Sequence, residues 1–174
     1  MALCLVVSLG ASAAHAGSAC FTSEEAQAAH FRTMQQDFNV AALNCQSDEA
    51  DDASISKRYN QFVGKFGVNL QSNAQALRHH FSRAGGNFDA WMTKVANDAG
   101  SRAVTDPEYC QRTSDMLDKA LAIESASEVE SLAVSTASTR MSVPLCGQGK
   151  ATHTTKAKTK TKAVKHKAKK SQPA

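Results

Sequence analysis

Between Thr22 and Cys45 the sequence reads TSEEAQAAHFRTMQQDFNVAALNC, and this stretch constrains the fold more than any other. Phe31, Met34, Phe38, Ala41 and Cys45 follow one another at steps of three or four, the spacing of one face of an α-helix. Thr22 with Glu25 three positions later forms a capping-box pattern at its start. The pattern predicts a helix over 23–44, and the polar run QSDEADDAS after it predicts its end. Such a helix is about 33 Å long at about 1.5 Å per residue. Cys20 precedes it and Cys45 closes it. A disulfide needs its two Cα atoms within about 7 Å, so Cys20 and Cys45 cannot pair with each other.

Further helices follow from the same spacing. Ile55, Tyr59, Phe62, Phe66, Leu70, Ala74, Leu77 and Phe81 recur at steps of three or four. Gly64 and Gly67 weaken this second helix and predict a bend, and Gly85-Gly86 stop it. Asn87 is the expected cap of a third helix that turns Phe88, Trp91, Met92, Val95 and Ala99 inward. Asp106-Pro107 reads as the start of a fourth, continued by Tyr109, Met116, Leu117 and Leu121. ASEVESLAV is a weaker helical stretch behind it. No segment alternates as a strand does. The predicted fold is all-α, an up-down bundle of about four helices over 17–146, with Phe38, Phe62, Phe66, Trp91 and Leu117 in its core.

The N-terminus, MALCLVVSLGASAAHA, reads as a secretory signal peptide over 1–16. Its apolar run is too short to span a bilayer, which takes about 20 residues, and Ala14-His15-Ala16 is a small-x-small cleavage site before Gly17. A signal peptide opens on positive charge, yet the first Lys or Arg is Arg32, which predicts a true start upstream of this Met. A lipoprotein reading at Cys20 lacks the large aliphatic residue three positions earlier. The competing reading is a cytosolic chain with an apolar N-terminal helix. Cleavage leaves Cys20, Cys45, Cys110 and Cys146, an even set that an oxidising compartment would pair. There is no CxxC and no nearby His pair to complete a zinc site. Following the chain up and down the bundle brings Cys110 to the end where Cys45 lies, and Cys146 back to Cys20. The expected pairs are therefore Cys45–Cys110 and Cys20–Cys146, and the expected location is the periplasm or the exterior.

Charge divides the molecule. Of its 20 basic residues nine are lysines from Lys150 onward, where no acid occurs; 11 face all 16 acids before that point. The segment 147–174 has no aromatic and a single Val, too little apolar surface to offset its ordering entropy, so it is predicted to be disordered. Lys156, Lys158, Lys160, Lys162, Lys165, Lys167, Lys169 and Lys170 are the candidate contacts to a polyanion. No aromatic is interleaved to stack on bases, and no large apolar residue to insert into lipid. The expected partner is an anionic polymer or surface, held by charge: envelope polysaccharide, anionic lipid headgroups or DNA.

Catalytic and cofactor patterns are weak. There is no GxSxG and no HExxH. Pro144 to Ala151 (PLCGQGKA) fails the phosphate-loop pattern at both ends. No cofactor and no metal ligand set is assigned from the sequence. Adjacent His79 and His80 point about 100° apart on a helix and do not chelate one ion together, though His30 could meet one of them. Asp48, Glu49, Asp51 and Asp52 form an acidic knot without an EF-hand framework. It reads as a solvated loop ahead of the second helix, or as an attractor for the protein's own lysines.

The segments CFTSEEAQAAHFRTMQQDFNVAALNC, RYNQFVGKF, ALRHHF and WMTKVANDAGS, with a later YC, resemble small exported bacterial proteins of unassigned function. The resemblance spans roughly Cys20 to Cys110 and implies export and helicity but no site. The Lys/Ala/Thr segment resembles linker-histone-like tails by composition. The leading expectation is an exported, non-enzymatic, disulfide-stapled helical protein with a polyanion-binding end. The alternatives are a cytosolic or nucleoid DNA-binding protein, or an enzyme whose site has no recognised motif. Intact-mass and N-terminal measurement of the mature protein is expected to find Gly17 first. A mature chain that keeps Met1 would remove the export reading.

Overall fold

A capped, 22-residue α1 (Ser23–Asn44) organises the chain. Thr22 Oγ1 accepts from the Glu25 amide at 3.2 Å while Glu25 Oε2 accepts from the Thr22 amide at 2.9 Å, so two of the helix's otherwise unpaired donors are satisfied reciprocally. The computed structural model describes residues 19–45, 54–137 and 140–147. The expected signal peptide, the acidic knot from Asp48 to Asp52 and the lysine-rich segment lie outside the described residues. After α1 come α2 (Ile55–Lys65), α3 (Gly67–Ala84), α4 (Phe88–Thr105), α5 (Tyr109–Ala122) and α6 (Ala126–Ala137). Among the described residues there is no strand, and a single parallel bridge joins Phe21 to Leu145. The fold is all-α.

Among the described residues six helices replace the expected four or so, for two reasons. The long second helix divides at Phe66, whose φ of −109° and ψ of 19° leave the helical region while its ring stays in the core. The Phe66 amide still bonds Phe62 and its carbonyl still accepts from Leu70, so the division is a kink and not a reversal. The weak stretch after Ile123 forms a full helix, α6, because Val129, Ala133 and Ala137 stand four apart and bury one stripe. A boundary also moves. Asp106 caps a turn rather than the helix, accepting from the Glu108 amide at 3.1 Å, and α5 begins at Tyr109. Gly85 ends α3 in the left-handed region at φ 74°, a conformation glycine adopts without a Cβ penalty. At Gly86 a Cβ would stand 2.8 Å from the Phe81 ring, so that position needs glycine for space.

α1 touches each of the other five helices. The main core gathers around its Phe31, Met34 and Phe38, with Phe62 of α2 and Leu117 of α5. Phe62 packs edge-on against Phe38 at 5.0 Å between ring centroids and lies 5.1 Å from Phe66. A second cluster sets Phe21, Ala29 and Leu77 against Phe81, Phe88 and Trp91. Of the residues expected in the core, Phe38, Phe62, Phe66 and Leu117 are buried. Trp91 is half-buried instead: it lies in the second cluster at the open side of α4, where its ring lines a cleft.

Cys20 joins Cys146 and Cys45 joins Cys110, with Cα atoms 5.0 Å and 5.5 Å apart. The first bridge is reinforced by backbone hydrogen bonds, from the Phe21 amide to the Pro144 carbonyl at 2.8 Å and from the Cys146 amide to the Phe21 carbonyl at 2.9 Å. The entry and exit of the described body are thus held side by side. Non-reducing peptide mapping is expected to recover these two pairs. Phe62→Ala, which empties the centre of the ring cluster, is expected to cost on the order of 3–5 kcal/mol in urea denaturation. Unchanged stability would mean that this ring does not hold the helices together.

Candidate functional site

Asp37 lies one residue before Phe38 in the middle of α1, and its side chain is fully buried. A lone buried carboxylate is prohibitively costly, so it must be paired and hydrogen-bonded. Two guanidinium groups meet it: Arg102 Nη2 of α4 donates to Oδ1 and Arg140 Nη1, beyond α6, donates to Oδ2, each at 2.6 Å. Tyr109 of α5 donates its hydroxyl to the Asp37 carbonyl at 3.0 Å. Burial first, and then the Asp37 charge, push the Tyr109 hydroxyl well above the ordinary tyrosine range. One residue therefore joins α1 to three later parts of the chain, through its carboxylate to two and its main-chain carbonyl to the third.

The two arginines also line a cleft of about 410 Å³ between α4 and the segment 141–144. Phe21, Phe81 and Trp91 supply its aromatic wall, the last two with ring centroids 5.6 Å apart. Lys94 and Asp98, paired at 2.6 Å one turn apart on α4, also line it. On the other side of Met141 a second hollow of about 290 Å³ is lined by His30 and Leu145. His30 is buried, its Nδ1 has no hydrogen-bond partner, and burial lowers its pKa below the ordinary histidine value.

A second polar node surrounds Glu25. Besides its capping role, Oε2 lies 3.1 Å from His80 Nδ1 and Oε1 3.0 Å from Arg83 Nη2. His80 is buried and stacks on Phe21 at 3.7 Å between centroids. Burial acts to raise the Glu25 carboxyl, but hydrogen bonds from the Thr22 amide, Arg83 and His80, with the Arg83 charge, outweigh it and hold its pKa below the ordinary value.

The structure thus separates the three histidines named from sequence: His80 meets Glu25, His79 is exposed, and His30 lines a different hollow. Among the described residues no group of three or more His, Cys, Asp or Glu side chains is placed to hold a metal ion. Cys20, Cys45, Cys110 and Cys146 serve as two crosslinks. The eight candidate lysines from Lys156 to Lys170 lie outside the described residues. Asp37, Arg102 and Arg140 are the residues that the sequence reading passes over. One signal was present: Ala26, Ala29, Thr33, Asp37 and Val40 form a second stripe at helical spacing beside the aromatic one. An acid on such a stripe asks for a buried cation. No protein family, curated protein or solved structure matches the chain.

Two outcomes are expected. Asp37→Ala leaves two facing guanidinium groups without their carboxylate and should cost on the order of 3 kcal/mol, the lower range for a broken buried pair because both arginines keep some solvent contact. Glu25 has a folded pKa below its unfolded value of about 4.5. Its contribution is then fully present above that value and is lost as pH falls through the folded pKa. Glu25→Gln should be less stable than the parent at pH 7, and the gap should narrow below about pH 4.5. Urea midpoints at the two pH values check this; a gap that stays constant would show that the Glu25 charge is not what stabilises the node.

Proposed function

We propose that the protein is an exported, non-enzymatic, disulfide-stapled helical protein whose lysine-rich end binds anionic polymers or surfaces by charge. The observation that carries the reading is the charge division, nine lysines and no acid from Lys150 onward after a body with 16 acids and 11 bases. The two disulfides are compatible with an oxidising compartment such as the periplasm or the exterior. No described helix is long and apolar enough to cross a membrane. Cys146 is held against Phe21, so the basic segment starts four residues beyond a crosslinked point of the body. Binding through it leaves the helices unperturbed.

Charge alone reads no sequence. Each phosphate neutralised on duplex DNA adds about −0.9 to the slope of log affinity against log salt. The acidic body opposes the interaction. The full chain is expected to bind duplex DNA, anionic polysaccharide or anionic vesicles at low salt and to release them near physiological salt or somewhat above. A chain ending at residue 149 keeps both disulfides and should lose this binding while keeping its helical content by circular dichroism. A truncated chain that binds as well as the full one would move the binding element into the body. A full chain that binds none of the three polymers at low salt would overturn the proposal.

A further inference from the structure

The cleft between α4 and the segment 141–144 has a chemistry separate from that of the lysine-rich end. Its aromatic wall is partly open: Trp91 is half-buried, within ring contact of Phe81 and Phe88. At about 410 Å³ it falls in the size range of small-molecule sites, roughly 300–1,000 Å³. Its charges do not cancel. The lining itself carries three bases, Lys94, Arg102 and Arg140, and one acid, Asp98. Behind it Asp37 engages both arginines, which leaves one positive charge in excess among these five groups, while Asp106, held by Arg112, also acts on Arg140. Each arginine gives Asp37 one terminal nitrogen at 2.6 Å and keeps other N–H donors. Arg102 Nε is buried without a hydrogen-bond partner. Donors in surplus beside an aromatic surface match an anion joined to a flat apolar group. They do not match the protein's own lysines, which carry the same sign as the excess.

We propose that this cleft binds a small organic monoanion, a carboxylate on an aromatic or similarly flat apolar body. The body lies against Trp91 and Phe81, and the carboxylate accepts from the guanidinium donors that Asp37 leaves free. Asp37 holds the two arginines at fixed positions, so the ligand meets an organised fork.

Trp91 is the single tryptophan of the chain, so its emission reports on the cleft directly. The full-length protein is titrated with 4-phenylbutyrate, with its neutral amide and with acetate. The carboxylate is expected to change Trp91 emission saturably. The amide should bind about tenfold more weakly, the loss of one charge-assisted hydrogen bond. Acetate, which has the charge without the apolar body, should leave the emission unchanged. Arg140→Gln should weaken 4-phenylbutyrate by about the same factor. Because Arg140 also supports Asp37, Lys94→Glu provides a second variant at an exposed position; it reverses the charge of the lining and should weaken the carboxylate about threefold while sparing the amide. Equal affinity for carboxylate and amide, an acetate response matching that of 4-phenylbutyrate, or no saturable change up to about 10 mM in the folded protein would each overturn the proposal.

Discussion

A helix buried over most of its length must pair the charges it carries, and that requirement governs this structure. Thirteen of the 22 residues of α1 are buried, leaving Arg32, Gln36, Asn39 and Leu43 along one less buried stripe. Five of the buried residues are polar or charged: Glu25, His30, Thr33, Gln35 and Asp37. Thr33 turns its hydroxyl back to the Ala29 carbonyl at 2.9 Å, and Gln35 donates to the Tyr59 hydroxyl of α2 at 2.7 Å. The two acids need cations, and these come from distant parts of the chain: Arg83 for Glu25, Arg102 and Arg140 for Asp37. The apolar contacts bring the helices to α1, and the buried carboxylates restrict how they can be arranged around it.

The disulfides act on the same arrangement from its ends. Cys45–Cys110 ties the last turn of α1 to the first turn of α5, close in sequence to Tyr109, which bonds Asp37. Cys20–Cys146 closes a separation of 126 residues and holds the segment 141–145 across the body. In the chain-entropy view, closing a loop of this order removes roughly 4–5 kcal/mol of freedom from the unfolded chain. This contribution matters for a body whose outer helices bury little: α4 buries two residues, Val95 and Ala99. The same bridge places Met141, Val143 and Pro144 along the cleft, so the crosslink shapes the candidate ligand site as well as stabilising the fold.

Two different uses of positive charge follow. Inside the body, Arg102 and Arg140 are held by Asp37 and present donors in a defined geometry next to aromatic rings. Beyond Cys146 the lysines form a run with no acid and no aromatic, suited to diffuse attraction. On the proposed readings the first would select by shape and the second by charge density.

Much of the architecture was legible in the residues. The capping box at Thr22 and Glu25, the apolar steps of α1, the stop at Gly85 and the incompatibility of Cys20 with Cys45 all rest on local geometry, which a short stretch of chain determines by itself. The bend between Gly64 and Gly67 was legible too, and the structure places it at Phe66. The half-burial of Trp91 and the full length of α6 were not legible, because each depends on where a neighbouring helix lies. The Asp37 node belongs to the same class. Sequence places an acid on a helical stripe, but Arg102 and Arg140 stand 65 and 103 positions away from it. Only the packing of α4 and of the turn after α6 against α1 brings these charges together, since a buried carboxylate takes the cations that the tertiary fold delivers and no local rule names them.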